Sequence, residues 1–141
     1  MYSRAQFIGG LAVVSATPGL GAAHAATVTT QSPFACDRLA LNPAERHRHF
    51  DQLGPFLRTK VNAIRAEPDG YSFRFPNDAA TFASLTEWIN GERRCCPFFD
   101  IGVNVARENG EVWMKLAGRP GTKDFIKSDF GPWFERVAAR K

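Results

Sequence analysis

Residues 67–99, EPDGYSFRFPNDAATFASLTEWINGERRCCPFF, change their hydrophobic period within a few positions, and that change decides the fold. Tyr71, Phe73 and Phe75 alternate with Ser72 and Arg74, the two-residue period of a strand with one buried face. Pro68-Asp69-Gly70 in front of them is strong turn chemistry and predicts a hairpin with an earlier strand over 61–67. Beyond Pro76 the spacing becomes helical, with Phe82, Leu85, Trp88 and Ile89 on one stripe. Asn77 or Asp78 caps this helix, which runs from Ala79 to about Cys95. Asn90-Gly91 is its weak point, because Gly costs about 1 kcal/mol against Ala in a helix. Pro97 disfavours helical geometry at Cys96, so the helix stops at the thiol pair.

The same two periods recur on either side. Ile101, Val103 and Val105, then Val112, Met114 and Leu116, alternate around Asn109-Gly110 and predict a second hairpin of 101–107 with 111–117. Trp113 is out of phase with its neighbours and belongs on the opposite sheet face, as a partner surface or half under a helix. Upstream, Asn42-Pro43-Ala44-Glu45 carries an N-cap, a proline at the first helical position and a capping-box carboxylate. A helix is expected from Pro43 to about Leu53, interrupted at Gly54-Pro55, with a short helical piece to Thr59. Thr122 caps a last helix that Gly131-Pro132 splits. The order helix, hairpin, helix, hairpin, helix predicts an α+β fold: one antiparallel four-stranded sheet from two hairpins, with helices over one face. Strand order does not follow from this pattern.

The 141 residues suit one domain, and an apolar share of 44% with twelve Phe and three Trp is enough to build its core. The net charge of +4 comes from positive residues interleaved with Asp and Glu, with no basic stripe, so no nucleic-acid partner is expected. Residues 1–25 have the pattern of a signal peptide. Arg4 supplies the charge, Phe7 to Val14 the apolar stretch broken by Gly9-Gly10, and Ala23-His24-Ala25 the cleavage site. Ser3-Arg4-Ala5-Gln6-Phe7-Ile8 is close to a twin-arginine export signal, with Ala5 where the second arginine belongs, so either export route is open. Residues 26–35 are expected to be a flexible lead-in, 36–141 a single globular domain, and the mature protein periplasmic or secreted. No membrane span is expected after signal cleavage.

The chemistry gathers at Glu92-Arg93-Arg94-Cys95-Cys96-Pro97-Phe98-Phe99. At about 100° per residue, Glu92 falls on the apolar stripe one turn after Trp88, and Cys96 projects one turn further on. A carboxylate on a buried face must be paired or protonated. Either it makes a structural ion pair, with Arg46 or its own neighbours, or it serves as metal ligand or proton acceptor beside the thiols. Arg93 and Arg94 favour thiolate there, whereas the C-terminal end of a helix opposes it. Cys36 makes the count of exported cysteines odd. Three arrangements are open: a disulfide from Cys36 to Cys95 or Cys96, worth about 2–4 kcal/mol; a three-thiolate site; or a strained Cys95–Cys96 disulfide. His47-Arg48-His49 is expected to be solvated surface, since two residues apart on a helix point about 200° apart and cannot share one metal. There is no Cys-x-x-Cys, no phosphate loop and no Gly-x-Ser-x-Gly elbow. Trp88, Phe98, Phe99, Trp113 and Trp133 could line a ligand pocket but are expected mainly as core, with Trp113 the exception.

Cys36 with Leu41-Asn42-Pro43-Ala44-Glu45-Arg46, then Asp69-Gly70-Tyr71-Ser72-Phe73-Arg74-Phe75-Pro76, and above all Glu92 to Phe99, resemble a group of small uncharacterised bacterial proteins that share a Glu-Arg-x-Cys-Cys-Pro-Phe motif. The resemblance runs from Cys36 to about Ile126. It includes Leu85, Trp88-Ile89, Leu116-Ala117-Gly118 and Gly121-Thr122-Lys123-Asp124-Phe125. It implies a shared fold and a shared thiol site of Cys36, Glu92, Cys95 and Cys96. Gly54-Pro55 departs from the more continuous first helix of that group. The function expected from these residues is binding of a soft metal or metalloid ion at Cys95 and Cys96, with Cys36 and Glu92 completing the site. A disulfide-stapled structural or interaction module without metal is the alternative. A thiol-dependent enzyme with Cys95 or Cys96 as nucleophile is the third reading.

Overall fold

The computed structural model describes residues 30–140, so the signal peptide expected at 1–25 lies outside the described residues. Strands β1 (Ala63–Glu67), β2 (Gly70–Phe75), β3 (Asp100–Val105) and β4 (Val112–Ala117) form one antiparallel sheet in the order β1-β2-β4-β3. The helices are α1 (Pro43–Arg46), a π-helical segment (His47–Leu53), α2 (Gly54–Lys60), α3 (Ala79–Cys95), α4 (Thr122–Asp129) and α5 (Gly131–Ala138). The fold is therefore α+β, as the periods predict. The two hairpins join through β2 and β4, where Phe73 pairs with Met114 and Phe75 with Val112. That junction sets the best apolar residues of both hairpins side by side on one face. Gly70 is required at its end, because a Cβ there would lie 1.9 Å from the Leu116 carbonyl oxygen.

The covered face is sealed by aromatic rings. Trp133 of α5 packs on Phe73 and Phe75, and with Phe130 it also meets Trp88 of α3. Phe73, Leu85, Met114 and Leu116 are fully buried, each worth about 1.5–3 kcal/mol of apolar transfer. Trp113 lies half-buried on the open face, as its phase predicts. The Arg65 guanidinium sits 4.6 Å from its ring. That face is laced with ion pairs, Arg65–Glu67 and Arg74–Glu111 among them.

Two local expectations change. Gly54-Pro55 does not interrupt the first helix. The segment before it is π-helical, and the Gly54 amide donates to the His49 carbonyl five residues back. The wider turn accommodates a proline that has no amide and crowds the preceding turn of an α-helix. The chain then stays helical to Lys60, and fully buried Val61 closes α2 instead of opening a strand. In the second hairpin the left-handed residues are Glu108 and Asn109, one position earlier than an Asn109-Gly110 turn. The Gly110 amide closes that turn on the Arg107 carbonyl.

The central helix keeps its predicted limits. The Asp78 carboxylate accepts from the Thr81 amide, and Cys96 leaves helical geometry in front of Pro97. In the described part of the lead-in most residues are exposed, and Phe34 is the ring that packs. Phe34 lies edge-on to Phe98 and stacks on Phe125. Gly121, at φ 99°, leaves room for it, since a Cβ there would come within 2.8 Å of the Phe34 ring.

Candidate functional site

The end of α3 and the loop around Cys36 are joined by one backbone bond and one from an arginine side chain. The Asp37 amide donates to the Cys95 carbonyl at 2.7 Å, and Arg94 reaches the Ala40 carbonyl at 2.9 Å. Cys36 is thereby held beside Cys95 and Cys96, and the three sulfurs lie within 4.8 Å of one another. The Cys95 and Cys96 sulfurs are 4.0 Å apart, and no disulfide joins any of the three. Cys95 and Cys96 are buried and Cys36 is half-buried.

Glu92 is buried on the inner side of α3, where the helical phase puts it. Its partner is not Arg46, which binds the Arg38 and Leu41 carbonyls, nor a neighbouring arginine. The partner is His49, whose Nε2 lies 3.0 Å from Glu92 Oε2. This corrects the expectation that His47-Arg48-His49 is all surface. His47 is exposed and pairs with Asp51, but His49 points the other way and is only 3% exposed. His49 stacks nearly parallel on Trp88 and meets Phe50 edge-on. A carboxylate only accepts, so Nε2 carries the shared proton whenever Glu92 is ionised. The other ring nitrogen, Nδ1, is buried without a hydrogen-bond partner. Cys95 Sγ is 3.8 Å from both His49 Nε2 and Glu92 Oε2, so the thiol cluster and the His–Glu pair share one atom.

Gly91 explains how His49 gets in. A Cβ at this position would lie 2.4 Å from His49 Nδ1. The glycine that weakens α3 in isolation is the gap through which the imidazole approaches the helix.

The sulfurs do not share a proton affinity. The neighbouring Cys95 and Cys96 thiols pull Cys36 well below the ordinary thiol range, with the charges of His49 and Arg38 adding to them. Cys95 and Cys96 are pushed up, first by the neighbouring Cys36, then by burial and the negative charge of Glu92. Cys36 is thus the most acidic of the three thiols. Arg93 and Arg94, expected to activate the thiols, are turned to other partners. Arg93 binds Asn90, and Arg94 binds Glu45, whose carboxyl it holds down near 2 together with the Asn42 cap.

A cleft of about 440 Å³ opens on this cluster, with Cys36, His49 and Glu92 among its lining residues. The structure thus brings together all four residues expected to form the site, and adds a fifth, His49. A signal for His49 exists in the sequence. Leu57 and Leu53 are four residues apart, and His49 is four before Leu53, so it continues the buried stripe. Comparison with family models, curated proteins and solved structures finds no match to the chain.

Proposed function

We propose that the protein captures a soft metal or metalloid ion through Cys95 and Cys96, with Cys36 completing the site and Glu92 supporting it. The observation that carries this reading is the convergence of three sulfurs from two distant stretches of chain within 4.8 Å. Thiolates are soft donors suited to Hg(II), Cu(I), As(III) and Zn(II). A cluster already gathered in the fold removes much of the ordering cost of binding. Capture by all three sulfurs must release the thiol protons, so binding should tighten as pH rises. The role is sequestration, delivery or sensing. Export by the N-terminal signal would place this site in the periplasm or outside the cell, and the resemblance to the Glu-Arg-x-Cys-Cys-Pro-Phe group implies the same thiol site there.

The test is anaerobic titration of the reduced protein with each of the four ions, following thiolate-to-metal absorption, mass and free-thiol content. The expected result is one ion per chain with loss of reactive thiols, weakened by Cys36→Ser, Cys95→Ser or Cys96→Ser. Uptake of none of the four ions overturns the proposal. The same sulfur distances also suit a Cys36 cross-link, so thiols are counted first on the protein as exported, under denaturing conditions. One free thiol supports the stapled module, and three support the ion site.

A further inference from the structure

Three features of the cleft bear on what reaches the sulfurs. The first is its position: Cys36 lines it, while Cys95 and Cys96 lie behind. The second is its size and walls. A bare ion held by three sulfurs needs no space beyond them, yet about 440 Å³ is open here, within the range of small-molecule sites. Its walls include the rings of Phe50, Trp88, Phe130 and Trp133. The third is charge. Arg38 and Arg58 line the cleft and form no ion pair among the described residues, Arg38 lying over the Phe50 ring, and Asp129, Glu92 and the Cys36 sulfur share the lining with them. With charges of both signs on its lining, the cleft admits a neutral species.

We infer that the site takes arsenic(III) bearing one organic group, R–As(OH)2, with two cysteines binding the arsenic and R lying against the aromatic walls. This deepens the proposed function and rests on it. The species is uncharged, so charges of either sign on the lining do not exclude it. The exchange is R–As(OH)2 with two Cys–SH, giving R–As(S–Cys)2 and two H2O. Two As–O and two S–H bonds break, two As–S bonds form, and the leaving hydroxides carry off the thiol protons. The As–C bond and the oxidation state are unchanged. One of the three thiols is left over, whereas inorganic arsenite, As(OH)3, can consume all three.

Gly54 provides a way to fill the cleft without emptying the core. It lines the cleft in ordinary helical geometry, and a Cβ there would meet nothing closer than the His49 carbonyl at 3.4 Å and Trp88 Nε1 at 3.9 Å. The experiment uses the reduced full chain, wild type and Gly54→Leu, titrated with arsenite, methylarsonous acid and phenylarsonous acid while free thiols are counted. In the wild type, affinity should rise from arsenite to methyl to phenyl, with one thiol free after phenylarsonous acid. Gly54→Leu should lose about tenfold or more for the phenyl compound, and at most about twofold for arsenite. Equal losses for both ligands, or none for either, overturn the inference, as does a wild-type affinity that does not rise with the organic group. The wild-type series decides the matter if Gly54→Leu does not fold. If arsenite binds and the phenyl compound binds no better, this inference falls and the ion site stands. If no arsenical binds, this inference falls, and titration with the other soft ions decides the ion site.

Discussion

Replacing Gly91 by alanine sets helix propensity against the packing of His49. In an isolated helix the change should stabilise by about 1 kcal/mol. Here the new methyl would stand 2.4 Å from Nδ1, 3.0 Å from Cε1 and 3.1 Å from Cγ of His49, and a carbon does not pack that closely. The ring has little freedom to yield. It lies 5.5 Å from the Trp88 ring and nearly parallel to it, 4.6 Å from Phe50, and is bound to Glu92 at 3.0 Å. Forcing it aside costs about 1–3 kcal/mol in overpacking. Losing a buried hydrogen bond to a charged group adds about 1.5–3 kcal/mol. After the propensity gain is subtracted, Gly91→Ala should destabilise the protein by roughly 1.5–5 kcal/mol. Urea denaturation measures this as a lower midpoint at unchanged slope. The control is the same substitution in a His49→Ala background, where the obstacle is gone and the alanine should stabilise by about 1 kcal/mol. An unchanged or raised midpoint for the single variant, or the same effect in both backgrounds, refutes the reasoning.

Cys36 should react first with iodoacetamide. Because its pKa is lowered, its alkylation rate should fall less steeply below neutral pH than that of an ordinary thiol. An ordinary thiol slows about tenfold per pH unit there, and the same fall at Cys36, read by peptide mass spectrometry, would contradict its lowered pKa. Cys95 and Cys96, pushed up and buried, should resist alkylation until the protein unfolds. Truncating Phe34 to alanine should cost about 1–2 kcal/mol, less than a fully buried phenylalanine because the ring is half-exposed. Gly121→Ala should be milder in that background than in the wild type, since only its left-handed φ remains unfavourable. Equal effects in the two backgrounds would show that the lead-in does not dock on Gly121.

What the sequence discloses here is mostly local. The Asp78 cap, the stop at Pro97 and the Pro68-Asp69-Gly70 turn are decided by neighbouring residues, and each is where its chemistry predicts. The β2–β4 pairing is not local. It joins the two hairpins across the whole of α3, and no turn residue encodes it. The site divides in the same way. Cys95, Cys96 and Glu92 lie on one helix, and a helical phase suffices to group them. His49 becomes legible only if the first helix is carried through Gly54-Pro55, because the stripe of His49, Leu53 and Leu57 crosses that point. A proline read as a break cuts the stripe and leaves a histidine flanked by His47 and Arg48 that passes for surface. The role of Gly91 was hidden for a related reason: a glycine in a helix gives no sign of what occupies its missing side chain.

The π-helical segment has a consequence for length. It holds more residues per turn than an α-helix, so deleting one residue between Phe50 and Leu53 would let it close into a regular helix with an ordinary backbone ladder. Everything before the deletion would keep nearly its orientation relative to α2, because the turn loses its surplus residue and not one of a regular helix. The histidine would then stand three residues before the first leucine instead of four, a spacing that still shares one helix face. In any chain descended from the same ancestor, then, a histidine three residues before that leucine can fill the place that His49 fills here from four.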